Sequence, residues 1–371
     1  MKYNTLGPKR LTSKNGVIEA LRLFFAITIV LAHSNGLIGY ADHPIMGGGG
    51  YAVEFFFILS GFLMAQSAER TQISGIASST MCFMKRKIFS ILPYYLVSFA
   101  AAALTYLIAN GTGKANSLDN NLAPAFFELT FLRITGLGGT GPWLNGVTWY
   151  LSALFAAMLV LYPLHLKTGK TFTTVIAPVV ACFSLGFIYL SGNSLGVGPI
   201  WNGNLISLGL LRAAGEISLG CISFAIFKKL RRSSLTRLSF FLLLLLEVIC
   251  YVGTFWGICN GFLPFVGYIV PFVLSLGIIL TFSLHSDSRV FSKPAFRYLG
   301  IFSLVLYLNH RYWCVFLNKI APFSTMDYAL RFVTYLILSI ASALMCWVIV
   351  FCFRKIKQCV GPKIKTWLIS S

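Results

Sequence analysis

Acidic residues are scarce in this sequence. Ten Asp and Glu stand against thirty Lys and Arg, and charged residues make up only 11% of the 371 positions. Soluble globular domains average about 25% charged residues, so a fully solvated surface is excluded. Paired cysteine motifs are missing as well. Nine Cys are present, none in a C-x-x-C, and most lie inside apolar runs where Cys acts as a small hydrophobe. Neither a disulfide framework nor a metal site is expected. Strand-like alternation is absent: barrel strands are ~10 residues long and alternate apolar with polar, whereas the apolar runs here are unbroken and about twice that length. There is no Ser-His-Asp signature, no H-E-x-x-H and no G-x-x-x-x-G-K-[ST], so glycines 47–50 are not a phosphate loop.

What is abundant is hydrophobic sequence, at 57% of residues. In a bilayer every backbone polar group must be satisfied internally, which leaves helices or closed barrels, and the run lengths select helices. The expected fold is an all-α integral membrane bundle of about ten spans, one domain over 1–371. The spans are expected at 17–37, 51–67, 88–109, 147–166, 172–190, 205–227, 239–258, 262–284 (kinked at Pro264 or Pro271), 298–317 and 328–353. The polar, basic start runs straight into an apolar segment without a small-residue cleavage site, which reads as an uncleaved first span. Residues 354–371 read as a basic cytoplasmic tail, with no soluble domain after the last span.

The net charge of +20 would point to nucleic acid in a soluble protein. Here its distribution gives a better account. With the N-terminus inside, all but seven of the thirty basic residues fall on inside segments. Lys114, Arg133, Lys319 and Arg331 fall outside, and Arg22, Arg212 and Arg311 fall within spans. The positive-inside rule produces this pattern, and both ends are expected in the cytoplasm.

Ionisable groups inside a membrane are costly, so each is a functional candidate. Arg22 and His33 are eleven positions apart on the first span. At ~100° and ~1.5 Å per residue they share one helix face, about 16 Å apart along the axis. Glu19, three residues before Arg22, can neutralise it locally. The bland account is that Arg22 snorkels to one interface while His33 sits at the other. Arg212 and Glu216, spaced i,i+4, read as an intramembrane ion pair. Glu247 has no obvious partner, and His43, His165 and His285 read as loop residues.

Five segments together resemble the acyltransferase 3 family of bacterial membrane acyltransferases. Arg22 and His33 fit its R-x10-H motif. Residues 53–63, with Val53, Glu54, Phe56, Phe57, Ser60 and Gly61, resemble its V-D-x-F-F-x-L-S-G-F-L span. Arg86, Lys87, Ser90, Ile91 and Pro93 resemble R-R-x-x-R-I-x-P, Trp149 and Leu151 match W-x-L, and Ser303, Tyr307, Leu308 and His310 resemble S-Y-x-x-Y-L-x-H. Three positions depart from the pattern. Glu54 stands for Asp, Ser90 replaces the third Arg, and Leu154 stands where many members carry Glu.

The resemblance implies transfer of an acyl group, usually acetyl, from cytoplasmic acetyl-CoA to a hydroxyl of a cell-surface or lipid-linked glycan such as O-antigen lipopolysaccharide. It implies a multi-pass protein of the bacterial inner membrane. The donor is expected in a cavity of the first, second, third and ninth spans. Arg22, Arg86 and Lys87 suit CoA phosphates, although the positive-inside rule explains Arg86 and Lys87 equally well. His33 suits proton abstraction near neutral pH or a covalent acyl-imidazole route. Trp149, Tyr307 and His310 are candidates for the glycan subsite; interfacial aromatic belts account for the first two as well. A transporter or glycan flippase also explains the spans and buried charges, but it predicts inverted repeats and paired broken helices. A membrane scaffold or sensor gives no reason for an Arg and a His on one face.

Overall fold

The computed structural model describes residues 15–37, 45–72, 75–110, 115–137, 143–196, 198, 201–202, 206–231, 236–261, 264–285 and 293–370. Helix α1 (Gly16–His33) starts at Asn15, whose side chain accepts from the Val17 and Ile18 amides and so caps two orphan donors. The same side chain donates to the Thr281 carbonyl at 3.0 Å, tying this start to a distant span. Helices α2 (Ala52–Arg70), α3 (Ile76–Asn110), α4 (Ala115–Leu129), α5 (Trp149–Thr168), α6 (Ala177–Leu190), α7 (Leu208–Leu230) and α8 (Arg237–Asn260) follow. After them come α9 (Pro264–Gly267), α10 (Val270–His285), α11 (Pro294–Asn309), α12 (Arg311–Lys319) and α13 (Tyr328–Ser370). Two short strands, β1 (Trp201–Asn202) and β2 (Ile206–Ser207), pair antiparallel before α7.

Among the described residues, nine helical segments are long and apolar enough to cross a membrane. Their surfaces agree: Leu242, Leu245, Val252 and Trp256 of α8 are all more than half exposed, which an aqueous protein does not tolerate as a contiguous apolar face. The chain is a multi-pass, all-helical membrane protein. Helix α2 is the most buried span, followed by α5 and α7. It meets α7 backbone to backbone, since a Cβ at Gly61 would run into the Ile217 carbonyl and one at Gly220 into that of Ile58. Small residues permit this approach in membranes.

The structure revises several expected boundaries. The ninth expected crossing, 298–317, is not one helix. It breaks at His310 into α11 and α12, of 16 and 9 residues, each too short to span alone. The third span is the C-terminal part of a 35-residue helix, and the last helix runs on through the basic tail to Ser370. The connection between the expected spans 88–109 and 147–166 contains α4, and the kink expected in 262–284 is the break between α9 and α10. His165 and His285 lie in helices rather than loops. His285 pairs with Glu247 at 2.9 Å, and Thr281 donates to the same carboxylate at 2.6 Å, so Glu247 does have partners. The expectation for His43 lies outside the described residues.

Candidate functional site

A cavity of about 340 Å³ opens between α1, α2, α3, α5, α11 and α13. Its mouth lies at the basic face and carries Arg22, Lys87, Arg297 and Arg354 against a single acid, Glu19. Glu19 holds Arg22 through Nη1 at 3.3 Å and lies directly against Gly300, where any side chain would displace it. The wall then turns apolar and aromatic, and Ile29, Tyr150 and Tyr307 line it. Tyr307 donates to the Val147 carbonyl at 2.8 Å and meets Tyr150 edge-on at 5.8 Å.

One helical turn past Ile29 and Tyr307 stand His33 and His310. Their facing nitrogens, His33 Nδ1 and His310 Nε2, are 3.1 Å apart. The partners fix the tautomers. His310 Nδ1 lies 2.7 Å from the Tyr307 carbonyl, which can only accept, so the hydrogen is assigned to Nδ1. In neutral His310, Nε2 is then an acceptor. His33 Nδ1 faces that lone pair and the Ile29 carbonyl at 2.9 Å, so it carries the hydrogen and donates. His33 Nε2 is left with a free lone pair, the form a general base requires. His310 is fully buried while His33 is partly exposed.

The two helices that present these histidines repeat one layout. Helix α1 carries Arg22 toward the basic face and His33 at its far end. Helix α11 carries Arg297 toward the same face, and His310 follows its last residue. The break after α11 is met by side chains from elsewhere. The Leu308 carbonyl accepts from Ser98 at 2.6 Å and from Asn145 at 2.7 Å, and the Asn309 carbonyl accepts from Ser342 at 3.2 Å. Asn145 is itself positioned by Glu128, whose carboxylate accepts from the Leu144 and Asn145 amides and the Thr148 hydroxyl. Arg133 braces the same segment through the Asn145 and Gly146 carbonyls and lies over the Trp143 ring. Burial raises the Glu128 carboxyl to about 6 and lowers the Arg133 guanidinium to about 10. The Arg311 guanidinium packs beside this region; a Cβ at Gly36 would meet its Nη1 at 2.8 Å.

A family model described as an acyltransferase domain matches residues 15–351. The chain belongs to the acyltransferase 3 family. It is 26% identical over 204 residues to an O-acetyl transferase of Shigella phage Sf6, a match covering 51% of this chain and 58% of that protein. The chain thus spans little more than half the length of that relative. No solved structure matches it.

Within the family's pattern, the geometry separates the sequence candidates. Arg22, Lys87 and Tyr307 line the cavity together. Arg86 does not: one residue away on α3, it is exposed and faces a separate groove with Arg70 and Gln66. Trp149 is buried beside Phe57 and lies outside the cavity wall. His310, a glycan-subsite candidate in the sequence, is enclosed by protein and contacts His33 instead. The expected wall of first, second, third and ninth spans is present, with α5 and α13 added. Ser90 and Leu154, both departures from the family pattern, are in that wall, so its lining carries less charge here than the pattern implies. The Arg212–Glu216 pair forms at 2.9 Å and gains a third member, Glu54, at 3.7 Å.

Sequence reasoning missed Arg297 and Arg354 because the positive-inside rule already accounted for them. A signal was present for the first. Arg297, Gly300, Ser303 or Leu304, and Tyr307 recur at helical spacing and form one face. No such signal existed for Glu128, near the end of α4, or for Asn145, in the connection before α5, because neither lies in a motif.

Proposed function

We propose that the chain transfers an acyl group, acetyl in the first instance, from a cytoplasmic acyl-CoA to a hydroxyl of a cell-surface or lipid-linked glycan in the bacterial inner membrane. One observation carries this reading: a cavity with four cations at its mouth runs toward a base-competent histidine near the opposite face. The cations suit the phosphates and nucleotide of the donor, and the aromatic stretch suits its thioester arm.

The chemistry follows from the tautomers. His33 Nε2 takes the proton of the acceptor hydroxyl as its oxygen attacks the thioester carbonyl. The C–S bond breaks, and the proton passes from the imidazolium to the departing thiolate. His310 accepts the His33 Nδ1 hydrogen throughout and steadies the imidazolium by its lone pair. An acyl-imidazole route would instead leave labelled acyl group on His33 when donor is supplied without acceptor.

The relative from phage Sf6, an O-acetyl transferase, supports acetyl as the group, and the family supports the reaction class. The broken ninth crossing is also a feature of transporters, but inverted partners for it are not evident in the sequence. The test is acyl transfer from labelled acetyl-CoA in membranes carrying wild type, His33→Ala and Arg22→Ala at matched expression. His33→Ala should lose roughly 10²–10⁴ in rate, and Arg22→Ala should raise the donor KM. Full activity in His33→Ala would overturn the assignment, and glycan movement across vesicles without transfer would favour the transporter.

A further inference from the structure

A second cavity, about 670 Å³, lies on the same basic face between α2, α5, the turn after α5, and α7. It shares no residue with the donor cavity. Three lysines line it, Lys170, Lys228 and Lys229, against one acid, Glu69, which pairs with Lys228. Lys170 and Lys229 have no carboxylate partner among the described residues. Basic residues at this face are ordinary in themselves. A second observation points to a ligand.

His165 lines the cavity and is only 7% exposed, and neither ring nitrogen has a hydrogen-bond partner among the described residues; Nδ1 is sealed off by protein, which leaves Nε2 as the nitrogen that can meet a ligand. A buried ring nitrogen left unmatched is costly. The ring is held in place by stacking on Phe172 at 4.8 Å, so it does not swing away to find water. Phe172 opens a π-helical turn, Phe172–Ile176, reached through Gly169 at φ 54°. Such turns are rare and collect at functional sites. Gly169 and two residues of the π turn, Thr173 and Thr174, are in the wall.

The other side of the cavity is apolar. Ile222 and Ile226 line it, and Ile226 is 43% exposed on the lipid-facing surface of α7. Cations and a hydrogen-bonding imidazole at one end, with an apolar wall open to hydrocarbon at the other, fit a molecule that is anionic at its head and hydrophobic in its tail. We infer that this cavity seats the phosphate-bearing headgroup of an anionic phospholipid of the leaflet at the basic face. Lys170, Lys229 and His165 meet the phosphate, and the acyl chains lie along Ile222 and Ile226. This does not depend on the acyl-transfer reading.

The test is native mass spectrometry of the full chain, equilibrated with phosphatidylglycerol or phosphatidylcholine. Four proteins are compared: wild type, Lys170→Glu with Lys229→Glu, His165→Leu, and Arg237→Glu. Arg237 is an exposed cation at the start of α8, outside the cavity. Wild type and Arg237→Glu should retain phosphatidylglycerol alone. The lysine double variant should bind it roughly tenfold more weakly or worse. His165→Leu alters no lysine, so it tests the pocket even where charge reversal disturbs insertion, and it too should lose retention. Equal loss in Arg237→Glu would mean a diffuse basic collar, and equal retention of phosphatidylcholine would mean no headgroup recognition. Displacement by inorganic phosphate would mean a soluble-anion site. Each of these overturns the proposal.

Discussion

At the scale of single residues, the His33–His310 contact makes a prediction that burial alone does not. If His310 only filled space, His310→Leu would lower stability and leave the pH profile of the surviving activity unchanged. If it receives the Nδ1 hydrogen of His33, the variant should slow kcat by as much as roughly a hundredfold and shift the acid limb of the kcat–pH profile, with the donor KM unchanged. His310→Gln, which offers an acceptor oxygen, should recover part of the rate. Glu128 makes a second prediction. Its carboxyl is raised by burial to about 6 in the folded chain, from an ordinary value of 4.5, so between these values the folded state holds more proton than the unfolded one. Stability should therefore fall as pH rises from about 4.5 to 6, by about 2 kcal/mol. Glu128→Gln should flatten that slope while weakening the segment 143–148, because an amide nitrogen cannot accept from the backbone. Thermal melts of both proteins from pH 4 to 7 measure the difference; parallel slopes would remove Glu128 from this role.

At the scale of elements, the spans were legible and the break at His310 was not. A hydrocarbon core asks for about 20 apolar residues, and that demand writes itself into a single stretch of sequence. The break depends on Ser98, Asn145 and Ser342, which come from α3, a connection and α13 and meet the freed carbonyls only after folding. Nothing within 298–317 records them. The Arg22–His33 face was legible because both residues sit on one helix at calculable rotation. Arg86 and Lys87 show the limit of such reading: they are adjacent in sequence and part ways on α3, with only Lys87 reaching the cavity. Asn145→Ala tests the break. It leaves Ser98 on the Leu308 carbonyl, so the cost should stay near 1–3 kcal/mol. Because α12 begins at the break, transfer should slow while donor affinity holds. Calorimetry with donor titration checks both, and a raised donor KM would place Asn145 in the wrong part of the site.

At the scale of the whole molecule, the parity of crossings decides where the acceptor side lies. Nine continuous spans alone would put the two ends of the bundle on opposite faces. A tenth crossing through α11 and α12 restores them to one face, and two contacts require it. Arg354 of α13 shares the mouth of the 340 Å³ cavity with Arg22 of α1. Lys319, at the end of α12, donates to Asn110 at the end of α3 at 2.9 Å, so the broken segment reaches the face opposite that mouth. The charge pattern adds direction to this parity: the face with Arg22, Lys87, Arg297 and Arg354 should be cytoplasmic. A fluorescent reporter that matures only in the cytoplasm should therefore glow when fused after Ser371. A phosphatase that works only outside should be active when inserted at 321–326, between α12 and α13. If instead the insertion reports the cytoplasm and the fusion after Ser371 stays dark, α11 and α12 form a re-entrant hairpin and α13 makes the ninth crossing, leaving the two ends on opposite faces.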